Sequence, residues 1–385
     1  MPSIKTKLWE AKPHTIAKIK LLREYLYLWF RILGTRCPGK DLLYVDGFSG
    51  PGEYTNYGKG SPIAAIEAYQ AAKQDVGTEW RAGQVRFGFI DHDKRRITHL
   101  QQKLSQHPSS RTYLEVMYHA CPFENGIAKI REQIPAAFNT DAPLFVFIDP
   151  FGTGAPFQDV SRLLSSERSE VLINLDADGL TRIAAAGKAA NSDAVLADVF
   201  GMSDWAEHLD LTKAREDQCR QVLHIYKQQL FQHADYVFSF EMRDQHNLVS
   251  YYLVFASNHP LGLKKMKEAM GTIDKTGEYK FRDADEGQSR LFQFDRPDEW
   301  TEWAEKMFAI CKGKRLEWDQ LQRYVLNETP FINVSPLLKP MDDKGYLAKI
   351  EVVPGAQRNK GQFTKEKVVA VQFVDQRMVQ QGFWN

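Results

Sequence analysis

Two short segments carry residue types that could do chemistry at the spacing chemistry needs. Leu42–Gly52 reads LLYVDGFSGPG and Leu144–Gly152 reads LFVFIDPFG. Each starts as an apolar run too short to be a long helix and stops abruptly at an aspartate followed by Gly or Pro. That is how a buried parallel strand delivers a loop to a ligand site. In the first, Asp46 and then Phe48 precede Gly50 and Gly52, glycines that let backbone pass close to a ligand, with a helix N-terminus to follow. A nicotinamide-dinucleotide loop is built from similar glycines, but the spacing here is not G-x-G-x-x-G, and no Tyr-x-x-x-Lys hydride-transfer set stands in the expected context. An ordinary tight turn is the other reading.

In the second segment, Asp149 and Pro150 leave a carboxylate and a backbone carbonyl at the rim of the sheet, with Phe151 beside them. Exocyclic amines of bases are poor nucleophiles because their lone pair is delocalised into the ring. Hydrogen bonds from such an amine to the Asp149 carboxylate and the Pro150 carbonyl would localise that pair, and Phe151 would stack on the base. Asp91 ends a third strand, in FGFIDHD, where a carboxylate can accept two ribose hydroxyls. Asp93 is its neighbour, and either could instead cap the helix that begins at Lys94. His14 and Lys18, four apart, share one face of an N-terminal helix, with a solvated face as the alternative to a functional one.

The elements that must hold these residues follow from periodicity. His14–Leu33 has helical apolar spacing and stops at Gly34. Strands are expected at Leu42–Val45, Gln84–Ile90, Tyr113–Tyr118, Leu144–Ile148 and Glu170–Leu175. Helices are expected at Ile63–Lys73, capped by Ser61, and at Lys94–Ser105, Asn125–Ile134 and Phe157–Leu164. Strands alternating with helices imply an α/β, Rossmann-like, mostly parallel sheet covered on both faces. Tyr236–Met242 and Ser250–Ala256 would close it as an antiparallel hairpin.

The sequence turns polar after Gly271, suiting a linker or substrate loop over 276–298. Helices Glu299–Ala309, Trp318–Leu326 and Ser335–Lys344, stopped by Gly345, then precede strands Tyr346–Val353 and Lys365–Phe373, an order that reads as a winged helix-turn-helix. The expected organisation is therefore an N-terminal helix (1–35), an α/β domain (36–275), the linker and a C-terminal domain (299–385). Arg358 and Lys360 lie in the wing and Lys314 and Arg315 in an upstream cluster, where they would touch phosphates. Winged helices also dock proteins, and Asp342 and Asp343 sit on the presumed recognition helix.

Composition narrows the classes. A length of 385 residues favours two domains, while 43% hydrophobic and 12% aromatic residues argue against disorder. No apolar stretch approaches a membrane span, and the start lacks a signal-peptide core, so a cytoplasmic location is expected. A net charge of +1 means that any nucleic-acid contact must come from local patches. The cysteines, Cys37, Cys121, Cys219 and Cys311, form no C-x-x-C pair, so no metal site is expected and inert thiols are.

The glycine loop resembles the motif with which class I methyltransferases hold S-adenosylmethionine, Asp46 then accepting from the methionine ammonium. The DPFG turn resembles the catalytic turn of enzymes that methylate exocyclic base nitrogens, and is closer to tRNA guanine-N2 methyltransferases than to those acting on adenine. The His-Lys helix and the Gly60-Ser61-Pro62 helix start resemble stand-alone ribosomal-RNA adenine-N6 methyltransferases, in which the basic helix face meets cofactor or substrate.

In order, WEAKPHTIAKIKLLREYLYLWF, YVDGFSGPGEY, GSPIAAIEA, FIDHD, FIDPFG, LDADGLTRI and YYLVFASNHPLGLKKMKEAM resemble the three-Cys-motif partner family over the first 270 residues. The family is named for standing beside a radical-SAM-like three-cysteine protein. The resemblance implies a methyltransferase-like fold, S-adenosylmethionine as cofactor and that protein as partner; DNA or RNA is the substrate expected from the turn. The rival reading is a non-catalytic protein of the same fold that docks this partner and binds nucleic acid or protein through its C-terminal domain.

Overall fold

The computed structural model describes residues 8–107, 115–139, 142–150, 152, 154–187, 192–274, 280–282 and 297–375. The chain forms two compact units, Met1–Ser289 and Arg290–Asn385. Most of the expected linker, 276–298, lies outside the described residues.

The first unit runs α1 (Pro13–Arg36), β1 (Leu42–Asp46), α2 (Ser61–Val76), β2 (Val85–Asp91), α3 (Lys94–Gln106), β3 (Glu115–Ala120), α4 (Phe123–Gln133), the single turn α5 (Ala136–Asn139), β4 (Leu144–Ile148), α6 (Phe157–Leu163), β5 (Ser169–Leu175), α7 (Ala177–Ala186), α8 (Ser192–Phe200), α9 (Arg215–Leu230), β6 (Tyr236–Arg243), β7 (Val249–Ser257), α10 (Pro260–Ile273) and β8 (Lys280–Arg282). The sheet order is β3-β2-β1-β4-β5-β7-β6-β8. The first five strands are mutually parallel, β7 is antiparallel to both β5 and β6, and β8 lies parallel to β6. The mostly parallel sheet and its late hairpin are as the sequence predicts.

Strand order reverses at β1. From it the chain first builds outward through β2 and β3, then returns to add β4 on the other side, so a crevice opens between the ends of β1 and β4. Register decides what lines it. Asp46 pairs with Phe89 and with Phe147, and Ile148 pairs with Ile173. Side chains two apart share a face. Asp46, Asp91, Asp149 and Asn174 therefore form a polar row along the end of one sheet face.

Beneath that row the same face is aromatic. Tyr44 stacks on Phe145 at 6.0 Å, Tyr25 of α1 meets Phe145 at 5.3 Å and Phe255 at 5.4 Å, and Phe30 meets Phe87 at 6.0 Å. Burying Tyr25, Leu26, Trp29 and Phe30 of α1 here is worth about 1.5–3 kcal/mol each, which holds the first half of α1 over the polar row. Glu170, at the start of β5, is buried in this layer and accepts from the Tyr25 hydroxyl at 2.5 Å and the Ser257 hydroxyl at 3.3 Å. Burial lifts its pKa to about 7.

Two expected boundaries are corrected. Helix α1 does not stop at Gly34 but continues to Arg36, with Cys37 as its cap. Gly34 is instead a seat for Trp80, whose ring would lie 2.4 Å from any Cβ placed there. Ser61 is not the cap of α2; Gly60 is, and Ser61 and Pro62 open the first turn. A Cβ at Gly60 would meet the backbone carbonyl carbon of Gly52 at 2.6 Å, and Gly60 N–H donates to Gly52 O at 2.7 Å. The cap position must therefore be glycine for the loop to close.

The second unit contains α11 (Pro297–Cys311), β9 (Arg315–Glu317), α12 (Trp318–Glu328), α13 (Ser335–Asp343), β10 (Leu347–Val352) and β11 (Val368–Phe373). Its sheet is β10-β11-β9, antiparallel throughout. Met307, Leu321, Val325, Leu337, Leu338, Met341 and Val371 make its core. The short strand β9 has no counterpart in the sequence reading. Among the described residues of the chain no helix is long and apolar enough to cross a membrane.

Candidate functional site

Asp46 is 0% exposed. Its Oδ1 accepts the Phe48 N–H at 3.2 Å, whereas Oδ2 makes no hydrogen bond among the described residues. Burial raises the carboxyl to about 7; the Ser61 hydroxyl and the Phe48 N–H pull it down, and the charges of Asp149 and Asp91 push it up. The Ser61 hydroxyl is thus close enough to be felt without completing a bond of good geometry. Tyr44, two residues earlier on the same face, has a buried hydroxyl whose pKa is raised by burial and then by Asp46 and Asp149, so it too comes within reach of Asp46 without a bond of good geometry.

The glycine loop that follows is tied down by its own backbone. Ser49 donates to Ile90 O through N–H and Oγ, at 2.8 and 3.1 Å. Gly50 N–H donates to Asp91 Oδ2 at 3.2 Å, and Gly50 and Gly52 take left-handed φ of 58° and 83°. Phe48 stacks on Phe123 at 5.4 Å. Asp91 also accepts from the Asp93 N–H at 2.8 Å on Oδ1 and faces Arg96 at 3.5 Å, so it braces this loop. Asp93 is the N-cap of α3, accepting from the Arg95 N–H at 2.9 Å; the capping alternative holds for Asp93 and not for Asp91.

Asp149 and Lys18 meet. Lys18 Nζ lies 2.7 Å from Asp149 Oδ1 and 2.6 Å from Oδ2, and Asn174 Nδ2 donates to Oδ1 at 2.6 Å. Lys18 and His14 are 5% and 8% exposed, which excludes the solvated-face alternative. Lys18 also sits over the Tyr251 ring at 5.1 Å, the Tyr251 hydroxyl donates to His14 O at 3.0 Å, and the His14 ring meets Tyr251 edge-on at 5.5 Å. Pro150 is half-buried. Phe151 lies outside the described residues.

Asp149 and the glycine loop open onto one space. A recess of about 20 Å³ is lined by Trp9, Gly50, Tyr54, Ser61 and Asp149. The segment carrying Trp9 is strapped across the loop: Thr55 N–H donates to Trp9 O at 3.0 Å, and Asn56 pairs with Ala11 through two bonds of 2.7 and 2.9 Å. The Trp9 ring meets Tyr54 edge-on at 5.8 Å and Arg96 lies over it at 5.1 Å. Burial, then the charges of Asp149 and Asp46, raise the Tyr54 hydroxyl pKa. Tyr44, Tyr54 and Asn174 are residues the sequence reading missed. Tyr54 had a signal, since it follows the glycine loop directly; Asn174, inside an apolar strand, had none.

In the second unit two of the four expected phosphate-binding cations, Arg358 and Arg315, are already paired. Arg358 donates to Asp342 at 3.1 Å and to Gln362 O at 2.9 Å and packs on Phe363. Arg315 bonds Glu351 at 2.6 and 3.0 Å. Lys360, with its side chain 79% exposed, has a loose 3.8 Å contact to Asp343. The Lys314 backbone N–H is spent on Cys311 O at 3.0 Å.

No family model and no curated protein matches the chain in sequence. Among solved structures, the chain is similar to the complex of Trm1 from Pyrococcus horikoshii with S-adenosyl-L-methionine, at a TM-score of 0.33 and 10% identity, covering 70% of this chain and 61% of that one. The chain thus spans about three-fifths of the length of that protein. A likeness that low carries no weight for function, which rests on the residues themselves.

Proposed function

We propose that the chain is an S-adenosylmethionine-dependent methyltransferase acting on an exocyclic amine of a nucleic-acid base. The observation that carries this reading is the buried Oδ2 of Asp46, which no hydrogen bond of good geometry reaches among the described residues, beneath a glycine loop at the switch point of a parallel sheet and in one polar row with Asp149. A buried carboxylate oxygen without a donor is costly, and an amino-acid ammonium is the donor that fits it. S-adenosylmethionine carries such an ammonium and, when bound, supplies an electrophilic methyl group.

Asp46 would hold the ammonium. Gly50 and Gly52 would let the backbone come close, with Phe48 alongside, and Asp91 would offer ribose hydroxyls the lone pairs it does not give to the loop. On the substrate side, Asp149 and Pro150 would present the amine and Phe151 would stack on the base. Lys18, reached from α1 together with His14, would hold the Asp149 carboxylate oriented.

The second unit would then act as a winged helix. With Arg358 and Arg315 committed to carboxylates, Lys314 and Lys360 are the cations to which phosphate contact falls. The radical-SAM-like three-Cys-motif partner implied by the family resemblance stays a proposal, tested by co-purification. Incubation of the purified chain with labelled S-adenosylmethionine and separate DNA, tRNA and rRNA pools, followed by nucleoside mass spectrometry, tests the activity. Label in a methylated amino-base is expected in one pool; label in none refutes the reading.

A further inference from the structure

Asp149 has one acceptor site left for an incoming amine, on Oδ2, so a second hydrogen of that amine needs another oxygen. Lys18 approaches both of its oxygens and Asn174 Nδ2 approaches Oδ1. A carboxylate paired with a cation is ionised and can only accept. The Asn174 amide must therefore turn its NH2 toward Asp149, which fixes the choice between its two flips. The same turn points Oδ1 the other way, and Oδ1 is buried with no hydrogen-bond partner among the described residues. Buried carbonyls are normally satisfied, and an exception asks what donor is missing.

The register puts Asn174 directly beside Asp149 in the polar row, because Ile148 pairs with Ile173. The missing partner must be an N–H or O–H. Resting on the methyl-transfer reading above, we propose that Asn174 Oδ1 accepts a second hydrogen bond from the exocyclic amine that Asp149 presents, with Lys18 as a positioning residue that holds Asp149, and through it the Asn174 amide, turned. A neutral amide oxygen draws the amine proton without taking it, which localises the nitrogen lone pair. It also selects: a base with a carbonyl in place of the amine sets oxygen against oxygen and is repelled. The substrate class is thus an amino-bearing base, discriminated from its keto analogue.

The test compares wild type, Asn174→Leu and Asn174→Asp. S-adenosylhomocysteine affinity is measured by calorimetry, and kcat and KM on the nucleic-acid pool that the wild type modifies. Asn174→Leu should lower kcat about 10- to 100-fold, the worth of one hydrogen bond in a closed site, with KM and S-adenosylhomocysteine affinity within about threefold. Asn174→Asp sets a carboxyl against Asp149, so it holds a proton at about pH 6 and there mimics the amide. Its activity should approach wild type at that pH and fall as pH rises.

A kcat within threefold in Asn174→Leu, a loss lying wholly in cofactor affinity, or a flat pH profile in Asn174→Asp overturns the inference. If Asn174→Leu fails to fold, the pH profile of Asn174→Asp decides. A wild type that transfers no methyl group to any pool sinks the activity itself and this inference with it, an outcome distinct from failure confined to the variants.

Discussion

Removing the Lys18 charge gives a prediction whose size can be worked from the structure. In Lys18→Met the Asp149 carboxylate loses the cation that meets both its oxygens and, among the described residues, keeps the Asn174 bond. The pair is largely desolvated, with side-chain exposures of 7% and 19%. Stripping one partner from a buried pair costs about 3–5 kcal/mol. Because Asp149 is not wholly dry and Asn174 still donates, the lower end, about 3 kcal/mol, is expected. In a unit of this size that lowers the melting temperature by about 6–12 °C. Asp149→Asn alone strands the Lys18 ammonium and should cost a similar amount. The double variant buries no charge, so it should lose about as much as either single variant and clearly less than their sum, with a coupling of about 2–3 kcal/mol. Equilibrium urea unfolding and calorimetry of the four proteins measure this cycle. Additivity within about 0.5 kcal/mol would refute the claim that these two residues act as one unit.

Three further outcomes follow. Asp46 and Glu170 both have folded pKa values raised to about 7, so the folded state holds their protons more tightly than the unfolded chain does. Their stabilising contribution is fully present below the unfolded values and is lost as pH rises through about 7; Asp46→Asn should accordingly melt above wild type at about pH 8 and match it at about pH 4, as followed by calorimetry. Gly60→Ala drives a Cβ into the Gly52 backbone and should destabilise by about 1–3 kcal/mol while abolishing S-adenosylhomocysteine binding, measured by unfolding and titration. Lys314→Ala and Lys360→Ala should each lower the salt slope of nucleic-acid binding by about 0.7–0.9, whereas Arg358→Ala should chiefly lower stability, as fluorescence titration against salt and thermal melts would record.

The sheet was legible because apolar runs such as LLYVD and LFVFI are too short for long helices and end in residues that break strands. The carboxylates at their ends were legible for the same reason. What the residues do to one another was not. Lys18 and Asp149 are 131 positions apart, and only the packing of α1 on the aromatic face unites them. Asn174 has no motif of its own; register alone gives it a role. Arg358 of the wing and Arg315 upstream of it looked available because their partners, Asp342 and Glu351, come from other elements. Helix α9 could have been found, since Cys219, Val222, Tyr226 and Leu230 repeat at helical spacing. Gly34 and Gly60 misled because a glycine near a helix end can serve close packing as readily as termination.

The central claim is that the unsatisfied Asp46 carboxylate is the seat of an amino-acid ammonium. Calorimetric titration of S-adenosylhomocysteine into wild type and Asp46→Asn tests it directly. The account predicts saturable one-to-one binding by wild type, weakened about 10- to 100-fold in Asp46→Asn, the worth of a hydrogen bond to a charged group. Absence of binding by wild type, or equal affinity in the two proteins, would contradict it.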